Sequence, residues 1–530
     1  MTVNWSGKPA LTAFVLTLLW TACRLAWLMH TGIPEPVATD EFAYLLGADT
    51  FAHGRLANPA HPLGEFFESP MILVRPSYAP KYPPGQSLFL ALGQRLFGDP
   101  FYGVVMGNAL MLFSFGLMLF VWVPYKWALA AAGMLALCLQ PAMYWVSSYE
   151  GGSVAASGGA LVLLGIGMYR TKQRPLPGAI FALGALLLFW TRPLEGGIST
   201  VAVVVLFARE LWSKRRAGAL AAALLVLAPG AVWTCWYNQA VTGDPLRLPY
   251  LLYQSQYNVT PVLWFLPLRP EPVYSHPRLA AHMGTNGAEA ADYKAQQPWP
   301  RGLWVGFSIS LLKFASALGI AVLLTMLVPV AWRDRDYRKM AIVTGVMLLT
   351  LTLETWHHKH YMAPAWAAQV LMIAIWAERA WNLRYRNRPV GVASVILALI
   401  ASPASIAFQG AVALPRDWLH RRTELLEQLS KTGRPELVIV RYPSPDWASG
   451  AEWVYNGAEI DHQQVIFAHD LGMEKNRTLL SYYGDRQAVL VSFDKSTGKM
   501  RVEPYPQPPL RQSPGRYPYF TRLGSPAQPA

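Results

Sequence analysis

Charged side chains are scarce in this chain. Asp, Glu, Lys and Arg together make up 14% of its 530 residues, whereas soluble globular domains carry about 25%. That deficit excludes a string of ordinary soluble domains. Cysteine is scarcer still. Cys23, Cys138 and Cys235 all fall inside apolar segments, which leaves no disulfide framework and no CxxC zinc site. There is no P-loop, and no GxGxxG followed by a Rossmann pattern. No internal repeat is evident. No small-residue cleavage site follows the first apolar run, 10–29, so that run reads as a retained helix and not a cleaved signal peptide.

What the chain has in abundance is apolar sequence, 53% of it. A span needs about 20 mostly apolar residues. Eleven candidates fall near 10–29, 102–124, 127–146, 152–169, 176–191, 197–212, 217–238, 306–331, 340–355, 361–380 and 390–413. The segment 86–98, "QSLFLALGQRLFG", is short and contains Arg95, so it reads as an interfacial helix. The net charge of +14 marks cytoplasmic loops and not a nucleic-acid partner. With the N-terminus inside, sixteen Lys and Arg residues between Lys126 and Arg388 fall in cytoplasmic links. The short outer links carry only Arg192 and Lys359.

The expected fold class is therefore a polytopic α-helical membrane protein of about 11 transmembrane helices, with a small C-terminal α/β domain outside the cytoplasm. Residues 1–414 form the bundle, including outer loops 30–101 and 239–305. Residues 415–505 form the α/β domain, with "ELVIVRY" and "AVLVSFD" as its strands. Residues 506–530, rich in Pro, Gln and Ser, read as disordered.

The unusual polar residues gather on the outer side. "VATDEFAYLLGADTFAHGRL" places Asp40 and Glu41 just beyond the first span. Arg75 and Lys81 follow in the same loop, the latter within "KYPPGQ". Glu150 lies in "SSYEGG", and Arg192 and Glu195 in "WTRPLEGG". "HHKHY" supplies His357, His358, His360 and Tyr361. Lys313 sits about two turns inside the eighth span. Each has a plain structural explanation. Asp40 could cap a helix beginning at Phe42, worth about 1 kcal/mol. Lys313 could snorkel outward, "KYPPGQ" could be a rigid turn, and Glu150 a turn residue. "HHKHY" could be a hydrated interface cluster. The functional explanation rests on convergence. Carboxylates suit a general base acting on an acceptor hydroxyl. Lys, Arg and His suit a phosphate leaving group, and a water-poor interface strengthens both.

The acidic "DE" pair after the first span, followed by "KYPPGQSLFLALGQRLFG", resembles the GT-C membrane glycosyltransferases. Within these it is similar to the bacterial group of protein O-mannosyltransferases and the lipid A aminoarabinose transferase. The tail stretch "EWVYNGAEIDHQQVIFAHDLG" also looks like that of bacterial relatives. The resemblance implies transfer of a sugar from a polyprenyl-phosphate carrier, with inversion, to an envelope glycan, lipid or protein. The reaction would occur at the outer face of the bacterial cytoplasmic membrane, with no nucleic-acid partner. It implies that Asp40 is the base or sugar-positioning acid, with Glu41 beside it. Lys81, here in Lys-Tyr-Pro-Pro, would contact the lipid phosphate, and Glu150 stands where relatives often carry Asp. Arg75, Arg192, Lys313, His357, His358, His360 and Tyr361 are placed as substrate-binding residues by topology alone. No cofactor is assigned, although carboxylates and histidines together leave a divalent metal open. A lipid-linked glycan transporter and a non-catalytic scaffold remain the competing classes.

Overall fold

The computed structural model of the protein describes residues 7–171, 175–214, 217–314, 318, 320–327, 329–411, 417–446, 452–494 and 499–506. In chain order the first elements are α1 (Lys8–Thr31), α2 (Thr39–Ala52), β1 (Asn58–Pro59), β2 (Ile72–Leu73), β3 (Ser77–Pro80), α3 (Gly85–Phe97), α4 (Phe101–Trp122) and α5 (Tyr125–Cys138). Next come α6 (Tyr144–Ser147), α7 (Ser153–Thr171), α8 (Leu176–Thr191), α9 (Pro193–Lys214), α10 (Ala217–Thr242) and α11 (Pro249–Gln256). The bundle is completed by α12 (Pro277–Met283), α13 (Ala288–Ala295), α14 (Trp299–Phe314), α15 (Ile320–Leu327), α16 (Arg335–Leu353), α17 (Trp366–Ala380) and α18 (Val390–Ala411).

Helix occupies each of the eleven apolar segments, but not as eleven uniform spans. Among the described residues five helices, α1, α4, α7, α10 and α18, are long and apolar enough to cross a bilayer, and α5 and α8 are shorter apolar helices. The segment expected at 127–146 stops being regular helix at Cys138, and Pro141 follows, which cannot continue a ladder. The segment at 306–331 is divided between α14 and α15. The one at 361–380 opens as a 3₁₀ turn, Lys359–Ala365, with Pro364 inside it, before α17 begins. The short helix expected at 86–98 is α3, with Leu92, Leu96 and Phe97 exposed along it.

The irregular stretch between α5 and α7 delivers Glu150. Non-helical backbone at membrane depth must find partners within the protein, and here side chains supply them. Trp20 Nε1 donates to Leu139 O (2.9 Å), Arg24 Nη2 to Val146 O (2.9 Å), Asn108 Nδ2 to Trp145 O (3.0 Å) and Gln86 Nε2 to Tyr149 O (3.0 Å). Gly151 and Gly152 have φ of 78° and 130°. A Cβ at Gly152 would lie 2.5 Å from the Trp145 ring, so this turn requires glycine on both counts.

At the opposite end of the bundle, ion pairs tie loops together. Arg170 at the end of α7 meets Asp336 at 2.8 Å, Lys339 meets Glu210 at 2.5 Å, and Arg379 meets Asp334 at 2.9 Å. Asp334 also caps α16 by accepting from the Asp336 and Tyr337 amides. The links expected on one side of the membrane by their positive charge thus converge at one end of the fold.

The C-terminal domain carries α19 (Asp417–Ser430), β4 (Glu436–Arg441), β5 (Val465–His469), α20 (Met473–Tyr482), β6 (Gln487–Phe493) and β7 (Met500–Pro504). The sheet order is β5-β4-β6-β7; β4 pairs in parallel with β5 and β6, and β7 runs antiparallel to β6. Central β4 is buried from Glu436 to Val440, which is why "ELVIV" reads as a continuous apolar run. Both strands expected from sequence are present; β5 and β7 are additional. The expected disorder at the end of the chain falls, apart from Pro506, outside the described residues.

Helices α3 and α4 meet backbone to backbone. A Cβ on Gly103 would lie 2.1 Å from Phe89 O, and one on Gly93 2.2 Å from Gly103 N. Gly103→Ala is expected to destabilise the protein by ~1–3 kcal/mol, the usual cost of overpacking, read as a lowered Tm in detergent. Gly133→Ala, where nothing lies within 4 Å, should leave Tm unchanged or slightly raised. Equal Tm values for the two variants would contradict this packing.

Candidate active site

Helix α2 begins at Thr39, and its N-cap, Ala38, has no side-chain acceptor. Glu41 supplies what is missing. Its Oε2 accepts from the Val37 amide (2.5 Å) and the Ala38 amide (3.0 Å), while Oε1 accepts from the Tyr149 amide (2.9 Å). Asp40 is therefore not the cap that the sequence suggested, because the helix starts before it. The cap is Glu41, buried and occupied by three backbone donors, and it also ties α2 to the turn carrying Glu150. This leaves the Asp40 carboxylate for other partners. Tyr82 donates a short hydrogen bond to its Oδ1, and Thr39 Oγ1 lies 3.4 Å from Oδ2.

Lys81 is only 5% exposed. Its ammonium lies 5.2 Å from the centroid of Tyr82, 5.4 Å from Tyr250 and 4.9 Å from Tyr253, all within cation–π range. Burial holds its pKa below the ordinary value, and the negative charges of Glu289 and Asp40 oppose that. For Asp40, burial pushes the carboxyl up. The attraction of Lys81, the Tyr82 hydroxyl and His358 outweighs it, so the net direction is down and Asp40 stays ionised. Glu289 accepts a short hydrogen bond from Asn258 Nδ2. The lysine thus sits under a tyrosine roof between carboxylates of α2 and α13.

Glu150 faces the same space. Its carboxylate lies 3.6 Å from His360 Nδ1, with both side chains under 10% exposed, and it hydrogen-bonds Tyr144. Burial, with the negative charge of Asp40 added, raises its pKa to about 8. Burial also keeps His360 neutral, well below the ordinary histidine range. One site therefore holds an ionised carboxylate, Asp40, and a carboxyl that is protonated near neutral pH, Glu150. Such a divergence is what acid–base division of labour requires. Arg192 stacks on Tyr361 at 4.3 Å and pairs with Glu195 at 3.6 Å. His360 packs edge-on to Tyr361 at 4.9 Å and stacks with His358 at 5.5 Å.

The sequence-derived residues separate into three groups. Asp40, Lys81, Glu150, Arg192, His358, His360 and Tyr361 come together. His357 and Lys313 line an adjoining cavity with Ser310 and Gln369; His357 Nδ1 is 3.2 Å from Ser310 Oγ and its Nε2 3.4 Å from Gln296 Oε1. Arg75 lies apart from the cluster, exposed at the β2–β3 turn, where its electrostatic neighbours are Glu68 and Tyr257. The sequence reading did not include Tyr82, Tyr250, Tyr253, Glu289 or buried Glu354. Tyr82 is the tyrosine inside "KYPPGQ". Tyr250 and Tyr253 are three apart on α11 and so share a face; that spacing was the available signal. Glu289 and Glu354 carry no local pattern.

The metal left open by the sequence finds little to bind it. Among the described residues no group of three or more His, Cys, Asp or Glu is placed to hold an ion.

Neither a protein-family model nor a curated protein sequence matches the chain. Solved structures do. The chain is similar to ArnT from Cupriavidus metallidurans bound to undecaprenyl phosphate, with a TM-score of 0.50 and 14% identity, over 90% of this chain and 93% of that one. The apo state of the same protein matches with the same values. An Archaeoglobus fulgidus oligosaccharyltransferase tethered to an acceptor peptide matches at a TM-score of 0.48 and 11% identity, over 91% of this chain and 69% of that one. The likeness to ArnT shows the fold. It is the GT-C fold that the "DE" and "KYPPGQ" segments resembled.

The raised pKa of Glu150 makes a stability statement. An unfolded glutamate ionises near 4.5, whereas the folded one holds its proton to about 8. The folded state binds more protons across that window, so stability falls as pH rises through it. Glu150→Gln removes this term. The Tm difference, variant minus wild type, is expected to grow from pH 4.5 towards 8. Parallel Tm–pH curves would show that Glu150 is not buried as described.

Proposed function

We propose that this chain is a glycosyltransferase that moves a sugar from a polyprenyl-phosphate carrier to an acceptor hydroxyl at the outer face of the bacterial cytoplasmic membrane, with inversion. The observation that carries this reading is the buried juxtaposition of Asp40 and Lys81, with Arg192 and Glu150 facing the same space. The fold shared with ArnT, whose structure holds undecaprenyl phosphate, supports it. The charge asymmetry of the loops supports the orientation, with the site and the C-terminal domain outside.

In this reading Asp40 takes the proton of the acceptor hydroxyl as its oxygen bonds to the anomeric carbon. The bond from that carbon to the phosphate oxygen breaks, and the electron pair leaves on the lipid phosphate. Lys81 and Arg192 meet the departing charge from a site with little water, where charge-assisted bonds are strong. Glu150, holding its proton at neutral pH, offers a hydrogen bond to a sugar oxygen. Glu41 positions α2 and does not touch the reacting atoms. His358 and Tyr361 line the space above Arg192. The acceptor is an envelope glycan, lipid or protein.

Mass spectrometry of envelope lipids and glycans from cells with and without the protein is expected to reveal one sugar-modified species that depends on it. Purified Asp40→Asn is expected to lose sugar transfer by 10²-fold or more, the usual range for a general base, while folding normally. Retention of more than about a tenth of wild-type turnover would remove Asp40 from that role.

Lys81→Ala separates donor from acceptor. Loss of a charged hydrogen bond costs about 1.5–3 kcal/mol, or roughly ten- to a hundredfold. That loss is expected in kcat/KM for the lipid-phosphate donor, with acceptor KM little changed. An effect confined to acceptor KM would assign the lysine to the acceptor groove instead.

A further inference from the structure

The tail stretch "EWVYNGAEIDHQQVIFAHDLG" takes no part in the chemistry above, yet it grips the helix that carries Asp40. Phe42, two residues after Asp40, is 4% exposed, and its ring lies 4.6 Å from that of Tyr455. Arg422, from α19, lies 5.2 Å over Phe42, 5.7 Å over Tyr455 and 4.4 Å over Phe467. Its guanidinium also fixes the backbone of this segment. Nε donates to Trp453 O and Nη2 to Tyr455 O, each at 2.9 Å.

A second grip falls two turns further along α2. The Ala458 amide donates to Asp49 Oδ2 at 2.7 Å, and Gln94 Nε2 of α3 donates to Oδ1 at 3.0 Å. Gly457 allows this approach, since a Cβ there would stand 2.7 Å from the same Oδ2. Between the two grips, Asn456 is bound in both directions to Phe467 of β5 and receives Tyr78 of β3 on its carbonyl. The segment is thus anchored to a sheet of the C-terminal domain and meets α2 at both ends. Glu41 ties the start of the same helix to Tyr149.

We propose that Tyr455 and Arg422 are positioning residues for Asp40, so that the C-terminal domain is part of the catalytic unit and sets the seat of the base. This rests on the reading of Asp40 given above. Two contacts separated by two turns fix both the tilt and the rotation of a short helix, whereas one would leave it free to pivot. Misplacing a reacting group by about 1 Å costs up to a hundredfold in rate.

The test uses the full-length protein and three variants, Tyr455→Leu, Tyr455→Phe and Gly457→Ala, each with two readouts. In steady-state kinetics with the lipid-phosphate sugar donor, Tyr455→Leu and Gly457→Ala are expected to lower kcat about ten- to a hundredfold with donor KM within about twofold. Tyr455→Phe, which keeps the ring against Phe42, is expected to retain wild-type kcat. In hydrogen exchange, the amides of Phe42–Leu46 are expected to exchange faster in the first two variants, while those of α4 do not change. Unaltered kcat and unaltered exchange in both Tyr455→Leu and Gly457→Ala would overturn the proposal, and Gly457→Ala decides alone should Tyr455→Leu fail to fold. The two readings fail differently. If wild type transfers no sugar, the function is wrong; if Asp40→Asn retains activity, Asp40 is not the base; in either case exchange at α2 still decides whether the domain seats this helix. If Asp40→Asn is inactive but neither tail variant is affected, only the positioning role falls.

Discussion

Lys81 is buried, and the arrangement around it follows from that. An ammonium removed from water costs several kcal/mol unless opposite charge and polarisable groups replace its hydration. Here Glu289 and Asp40 supply the charge, and three tyrosine rings supply the rest. These groups come from four segments: α2, the "KYPPGQ" turn, α11 and α13. Each is held by contacts that make sense only as part of this enclosure. Tyr82 both covers Lys81 and donates to Asp40, so the charge on Asp40 and the charge on the lysine depend on one ring.

The second constraint is the bilayer. Backbone carbonyls between α5 and α7 cannot be left bare, and Trp20, Arg24, Asn108 and Gln86 are committed to them. Arg24 is a charge within the first helix, 4% exposed, that a catalytic reading would find tempting. Its donor to Val146 O gives it structural work. The result is a rigid, non-helical turn that brings Glu150 to face Asp40 and His360. Burial and the charge of Asp40 then hold its proton on. A site of this kind separates two carboxyls by environment: one ionised beside the Lys81 ammonium, one protonated beside an anion and a neutral imidazole.

The C-terminal domain belongs to the same account. Arg278, from α12, pairs at 2.8 Å with Glu452, and both are nearly inaccessible. Breaking a buried pair of this kind by removing one partner costs about 3–5 kcal/mol, so the domain is fastened to the loops around the site. Through Phe42 and Asp49 it also reaches the helix bearing Asp40.

Much of this was legible in the sequence, and for definite reasons. Apolar runs, Pro and Gly positions and the Lys and Arg bias are local properties, so the eleven helical segments, the short helix α3 and two strands of the tail could be read directly. The sequence by itself determined where the apolar helices lie, and it placed Asp40, Lys81, Glu150 and Arg192 together at one end of the bundle. It could not separate Asp40 from Glu41. That depended on where α2 begins and on the Tyr149 amide, 108 residues away. Nor could it exclude Arg75, since the β2–β3 turn alone directs it away from the cluster. Tyr250, Tyr253 and Glu289 lie between α10 and α14 with no motif, because their role exists only as a surface facing Lys81. Only the tertiary structure decided which carboxyl keeps its proton. A pKa is set by burial and by charges within a few ångströms, and those neighbours come from parts of the chain far apart in sequence.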